Sequence, residues 1–246
     1  MLEILLLVFG VGIVTGFFDS VIGAGGLISV PSLIFLGLPP QTAIATDRFG
    51  TLGQTSTALF KFWKAQKIVW KMVPILSILA LVGSLIGANI LLNADTKILE
   101  GVVGILILAL LPVIFLKRDI GTTSAKTGRL KTIIGLVIYF LIMIFCGFFG
   151  QGTGPITSYV LIFFLGFTML ENLGTGIIPW FVLSISSVII FAFSGIINYE
   201  IGIVLLAGMA IGGYVGAHFA IKKGNVWIKY LFVLFVVVLG AKLLIF

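Results

Sequence analysis

The stretch GIVTGFFDSVIGAGG, residues 12–26, decides the reading of this 246-residue chain, because it returns in degraded form as GFFGQGTGP, residues 147–155. From there the two halves keep one register. Gly23 and Gly25 match Gly152 and Gly154, each 129 residues on. Leu36-Gly37 matches Leu165-Gly166, Thr46 matches Thr175, and Gly83 and Gly87-Ala88 match Gly212 and Gly216-Ala217 at the same offset. An internal duplication in an apolar chain, with glycine interruptions in corresponding places, is a sequence pattern of secondary transporters.

Composition sets the class. Hydrophobic residues make up 60% of the chain and charged residues 9%, far from the roughly 25% charge of a soluble domain. Apolar runs of about 20 residues recur from end to end, as a polytopic membrane protein requires. The apolar start carries the first glycine motif and lacks a basic leader region, so it reads as part of the first repeat. Cys146 is the only cysteine and His218 the only histidine, which excludes an intrachain disulfide and cysteine- or histidine-rich metal clusters. No cofactor motif is read. The net charge of +7 is located in loops, so it is a topology signal and not a nucleic-acid signal.

Hydrophobic runs between breakers predict spans near 3–20, 42–60, 71–91 and 98–116, then 131–149, 171–192, 200–220 and 227–246. Each half adds a short apolar segment, 25–37 and 154–167, which at 1.5 Å per residue rises only about 20 Å against a hydrocarbon core of about 30 Å. Basic residues cluster in three loops: Lys61, Lys64, Lys67 and Lys71; then Lys117, Arg118, Lys126, Arg129 and Lys131; then Lys222, Lys223 and Lys229. The positive-inside bias places these loops in the cytoplasm. The 61–71 loop is basic while its repeat partner 190–200 is not, so matching loops fall on opposite faces. The expectation is therefore an all-α polytopic membrane protein made of two inverted repeats, 1–122 and 123–246. Each repeat holds four long helices plus one short or re-entrant helix.

Breaks inside a membrane leave backbone groups that must face protein, water or ligand. Gly23, Ala24, Gly25 and Gly26, and Gln151, Gly152, Thr153 and Gly154, are the expected breaks. The helix starts that follow present N–H groups and a positive dipole end, a ready anion site, and Pro155 suits a first helical turn. Gly83/Gly87 and Gly212/Gly216 read instead as tight helix packing. Thr46 and Thr175 either ligate an anion or bond their own preceding turn. Ions within the membrane are costly and are usually paired or functional. Asp19 and Arg48 are candidate partners across the first repeat. In the functional reading Arg48 holds an anion and Asp19 or Asp47 exchanges protons; in the alternative they form a structural ion pair.

These motifs resemble the TauE/SafE family of sulfite/sulfonate exporter-type permeases. The resemblance rests on Gly12, Gly16, Gly23, Gly25, Gly26, Pro31, Leu36-Gly37 and Ala43-Ile44-Ala45-Thr46, with a second copy at Gly147, Gly150, Gly152, Gly154, Pro155, Leu165-Gly166 and Gly174-Thr175. It covers nearly the whole chain. It implies an inner-membrane permease with about eight membrane helices, carrying a small sulfur-containing or organic anion, with membrane lipid around it and a coupling proton or sodium ion as partner. Asp47-Arg48 and Gly150-Gln151-Gly152-Thr153 depart from the family pattern at the expected site. Two other classes are set against this reading. A channel or cation carrier would use Asp19 and Asp47 as ligands, and a membrane-embedded enzyme would need a catalytic constellation that one histidine and one cysteine do not supply.

Overall fold

The computed structural model describes residues 2–93, 121–148 and 152–245, with side chains described as far as Leu231. The expected span at 98–116, and Gly150 and Gln151, lie outside the described residues. The described chain is helical. Its elements are α1 (Leu2–Ile22), α2 (Gly26–Phe35), α3 (Pro40–Lys64), α4 (Val73–Asn93), α5 (Arg129–Phe148), α6 (Gly154–Leu165), α7 (Met169–Phe193) and α8 (Tyr199–Ile245). Inside α8, Gly224 leaves helical geometry at φ 79° and ψ 179°, between the expected spans 200–220 and 227–246.

Among the described residues, five helices are long and apolar enough to cross a membrane: α1, α4, α5, α7 and the Tyr199–Leu231 part of α8. Leu6, Ile78, Val137, Leu141, Ile189 and Ile203 point outward and are exposed. A shell of that kind is stable against lipid and not against water. The protein is an all-α polytopic membrane fold. The two short segments form as short helices, α2 with 10 residues and α6 with 12.

Helix α3 departs from a plain hydrophobic span. Its 25 residues are long enough to cross, at about 1.5 Å each, yet Thr46, Asp47, Arg48, Thr51, Gln54 and Thr55 make it too polar to count among the five. All six side chains are buried, because α3 packs between α7 and α8 and turns its polar face to protein.

Glycines set the outer packing. Helix α1 lies on α8, and α4 on α5. A Cβ on Gly12 would reach 2.8 Å from the Leu205 carbonyl oxygen, one on Gly83 would reach 2.8 Å from the Ile144 nitrogen, and one on Gly212 would overlap the Ile13 carbonyl. The Gly-x3-Gly pairs thus act as the packing reading expects.

Contacts between the halves come in reciprocal pairs. The Thr46 hydroxyl accepts the Asn198 N–H at 3.0 Å, and the Thr175 hydroxyl accepts the Val69 N–H at 2.9 Å. Both members of the first bond correspond to members of the second at the 129-residue offset. Each threonine therefore holds the loop that follows the equivalent helix of the other half, α7 or α3. Gly23 and Gly152, Gly37 and Gly166, and Gln66 and Gly195 also share positive φ in register. The two threonines, buried completely, should be stability determinants. Thr46→Val or Thr175→Val leaves a loop N–H without its acceptor and should cost about 1–3 kcal/mol each. Thermal unfolding of the purified protein in detergent should show both losses, with Thr→Ser restoring most of the stability. Unchanged melting of both valine variants would contradict this role.

Candidate functional site

The two helix breaks meet. Helix α1 ends at Ile22, Gly23 turns the chain at φ 70°, and α2 begins at Gly26; in the second half Gly152 turns at φ 72° and α6 begins at Gly154. Both φ values lie in the left-handed region, which glycine enters without steric cost. The turns touch: a Cβ on Gly23 would lie 2.8 Å from the Gly154 Cα, and a Cβ on Gly154 would overlap the Gly23 carbonyl. Leu27 of α2 packs against Gly152 in the same joint. Only backbones without side chains can approach this closely.

The buried charges serve the broken ends. Asp19 Oδ1 accepts the Gly25 N–H at 2.8 Å, which places a carboxylate on the positive end of α2. Arg48 Nη2 donates to the Cys146 carbonyl at 2.7 Å, in the last turn of α5, where helix carbonyls lack intrahelical partners. The guanidinium also lies 5.2 Å from the Trp180 ring centroid, within cation–π range. Asp19 and Arg48 thus cap two different helix ends, and among the described residues no ion pair joins them. Asp47 accepts the hydroxyl of Ser29, tying α2 to α3. Thr153, the N-cap of α6, accepts from Cys146 Sγ at 3.1 Å.

Beside the joint is a cavity of about 80 Å³. Asp19, Ser20, Gly23, Gln54 and Phe62 face it from the first half, and Gly154, Thr157, Ser158, Asn172 and Trp180 are among those facing it from the second. Gln54 Nε2 donates to Ser20 Oγ at 2.8 Å, while Gln54 Oε1 is buried without a partner among the described residues. Arg48 Nε is in the same position. Asn172 Nδ2 donates to Ser158 Oγ at 2.8 Å. An orphaned buried polar atom costs about 1–3 kcal/mol, so a pocket that retains one is poised for a polar guest.

Of the residues singled out in the sequence, Asp19, Gly23 and Gly154 line this cavity. Ala24, Gly25, Gly26, Gly152 and Thr153 build the joint beside it. Arg48 reaches its edge through Trp180, and Asp47 bonds behind it. Thr46 and Thr175 sit at the ends of the α3–α7 pair, bonded to loops. Gln151 lies outside the described residues. The sequence reading passed over Asn172 and Trp180 altogether; Asn172 stands where the first half has Ala43, so no repeat signal marked it.

The family described as "Sulfite exporter TauE/SafE" matches residues 8–243. The chain belongs to the TauE/SafE family. It is similar to a "Probable membrane transporter protein" of Haemophilus influenzae, 27% identical over 98% of this chain and 95% of that one. It is also similar to "Probable membrane transporter protein YfcA" of Escherichia coli K12, 24% identical over 96% and 88%. In Bacillus subtilis the similar protein is "Probable membrane transporter protein YdhB", 27% identical over 92% and 93%. No solved structure matches. As a TauE/SafE member the chain is a multi-pass, transporter-type membrane protein.

The joint gives a direct test. Gly154→Ala forces a methyl into the Gly23 backbone, and overpacking of that kind costs about 1–3 kcal/mol. Gly10→Ala, on an open face of α1 with nothing within 4 Å, should be neutral or stabilising by up to about 1 kcal/mol. Melting temperatures in detergent should fall for Gly154→Ala and hold or rise for Gly10→Ala. Equal behaviour of the two would remove the joint from the packing account.

Proposed function

We propose that this TauE/SafE protein is a secondary transporter that moves a small sulfur-containing or organic anion, of the sulfite or sulfonate kind, across the inner membrane. The single observation that carries the reading is the polar cavity at the meeting of two helix breaks, faced by the first turns of α6 and by the polar groups of Thr157, Ser158 and Asn172. Helix starts at interrupted segments near the centre of a bundle are the anion sites of such carriers. Transport is coupled to a proton or sodium gradient, with Asp19 and Asp47 as the ion-coupling carboxylates. Asp19 is suited to this because it faces the cavity. Arg48 supplies the positive charge that makes the region attractive to an anion. The glycine-framed backbone at 23–26 and 152–154 shapes the site, and Gln151 and Thr153 belong to its rim. Thr46 and Thr175 act on the site by fixing α3 and α7, which flank it.

The two halves, 1–122 and 123–246, are inverted repeats in this proposal, each of four long helices and one short one. What supports the inversion is the pair of threonine bonds. The start of α7 lies by the loop after α3, and the start of α3 by the loop after α7, so the equivalent helices run in opposite directions.

Purified protein in liposomes should take up labelled sulfite saturably when a proton or sodium gradient is imposed, and protein-free liposomes should not. Asp19→Asn should retain sulfite–sulfite exchange while gradient-driven uptake falls at least tenfold. Absence of saturable anion flux under either gradient would overturn the transport reading. Gradient-driven uptake by Asp19→Asn at the native rate would remove Asp19 from coupling.

A further inference from the structure

The cavity beside the joint is lined by side-chain oxygens left over once the protein has made its own hydrogen bonds. Gln54 donates Nε2 to Ser20 Oγ, and its acceptor atom Oε1 is buried without a partner among the described residues. Gln54 is 1% exposed, so bulk water does not serve that oxygen. Asn172 donates Nδ2 to Ser158 Oγ and keeps its carbonyl oxygen. The Thr157 hydroxyl donates to the Thr153 carbonyl at 3.0 Å, and its lone pairs remain. Asp19 accepts the Gly25 N–H on Oδ1 and retains Oδ2. All four residues line the same cavity.

The charge balance has the matching sign. Asp19 is the one charged side chain among the described residues that line the cavity. Asp47 and Arg48 are also buried, but they are adjacent on α3 and offset each other. Arg48 turns to the Cys146 carbonyl and lies against the Trp180 ring. Helix α1 ends at Ile22, and Gly23, the next residue, lines the cavity. The last carbonyls of a helix lack intrahelical partners and favour a cation.

Resting on the coupled-transport reading, we propose that this cavity binds the coupling ion and that the ion is sodium. Asp19 and Gln54 Oε1 are its principal ligands, with Thr157 and Asn172 completing the shell. A hard cation takes carboxylate and amide-carbonyl oxygens together, and interrupted helices of secondary carriers hold coupling ions at such places. A proton on Asp19 would serve one of these oxygens, whereas a metal cation serves all four. One carboxylate compensates one positive charge; a divalent ion would leave a costly buried excess. The cavity of about 80 Å³ exceeds the roughly 10–15 Å³ that a water-sized guest needs, so the ion enters with part of its hydration shell. The site is single, because the repeat counterparts of Asp19 and Gln54 are Phe148 and Leu183. Bound sodium offsets the Asp19 charge, so an anion is admitted beside it only after the cation, and that order couples the two.

Equilibrium binding of radioactive sodium to the full chain in detergent, in choline chloride with no sulfite present, tests the site. The native protein should bind one ion per chain, displaced by unlabelled sodium and not by choline. Gln54→Leu and Asp19→Asn should each weaken sodium binding at least tenfold, and Gln54→Glu, which puts an oxygen back, should recover most of that loss. Thr157→Val, close to the native side chain in shape, covers the case in which the other variants fail to fold and should weaken binding at least threefold. No saturable sodium binding, two ions per chain, smaller losses in the folded variants, or no recovery by a folded Gln54→Glu would overturn the sodium site. Sulfite uptake driven by a proton gradient would then still carry the transport reading. Native sodium binding with no sulfite flux under either gradient would overturn the transport reading and leave the site standing.

Discussion

The backbone contact between Gly23 and Gly154 is the constraint on which the rest of this structure depends. The two segments can touch there only because neither residue carries a side chain, and they touch where one segment leaves α1 and the other enters α6. A break in a membrane exposes N–H and C=O groups that lipid cannot satisfy. The protein meets that cost with side chains that would be expensive elsewhere in the interior. Asp19 takes an N–H at the start of α2, and Arg48 takes a carbonyl at the end of α5. A charge buried without a partner destabilises, but each of these two is set against the helix end of opposite sign. Break, glycine contact and buried charge are one arrangement.

That arrangement is held from both ends. Helix α3 keeps its polar side chains inside because α7 and α8 cover it, and the threonine bonds to the Asn198 and Val69 backbones fix where those neighbours stand. The outer helices pack through close glycine contacts and the buried apolar side chains around them, and turn ordinary apolar side chains to the lipid. Polarity is thus concentrated along α3 and the joint. A membrane protein that moves a polar solute needs that distribution, because the solute must meet hydrogen-bonding groups where lipid does not reach.

Much of this was legible in the sequence, for physical reasons that can be named. The short helices follow from run length, the breaks from clustered glycine, and the packing role of Gly83 and Gly212 from spacing, since each depends on local backbone chemistry. Side-chain destinations were not legible. Arg48 has an acidic neighbour in sequence, Asp47, yet it turns to a carbonyl 98 residues away, a choice fixed only when α5 docks. Thr46 and Thr175 were visible as a pair, but a threonine's partner depends on which loop arrives beside it. Asn172 and Trp180 gave no signal because the repeat does not preserve them. The cavity is asymmetric where the fold is repetitive, so the duplication that exposed the architecture hid part of the site.

The central claim is that two oppositely oriented halves join at one pair of helix breaks. Gln66 and Gly195, equivalent positions that are exposed and share positive φ, report on it most directly. Single cysteines at these positions, in protein lacking Cys146, can be labelled in intact and in opened cells with a thiol reagent that does not cross membranes. The account predicts that Gly195→Cys is labelled from outside and Gln66→Cys only once the cytoplasmic face is open. Labelling of both from the same face would contradict it.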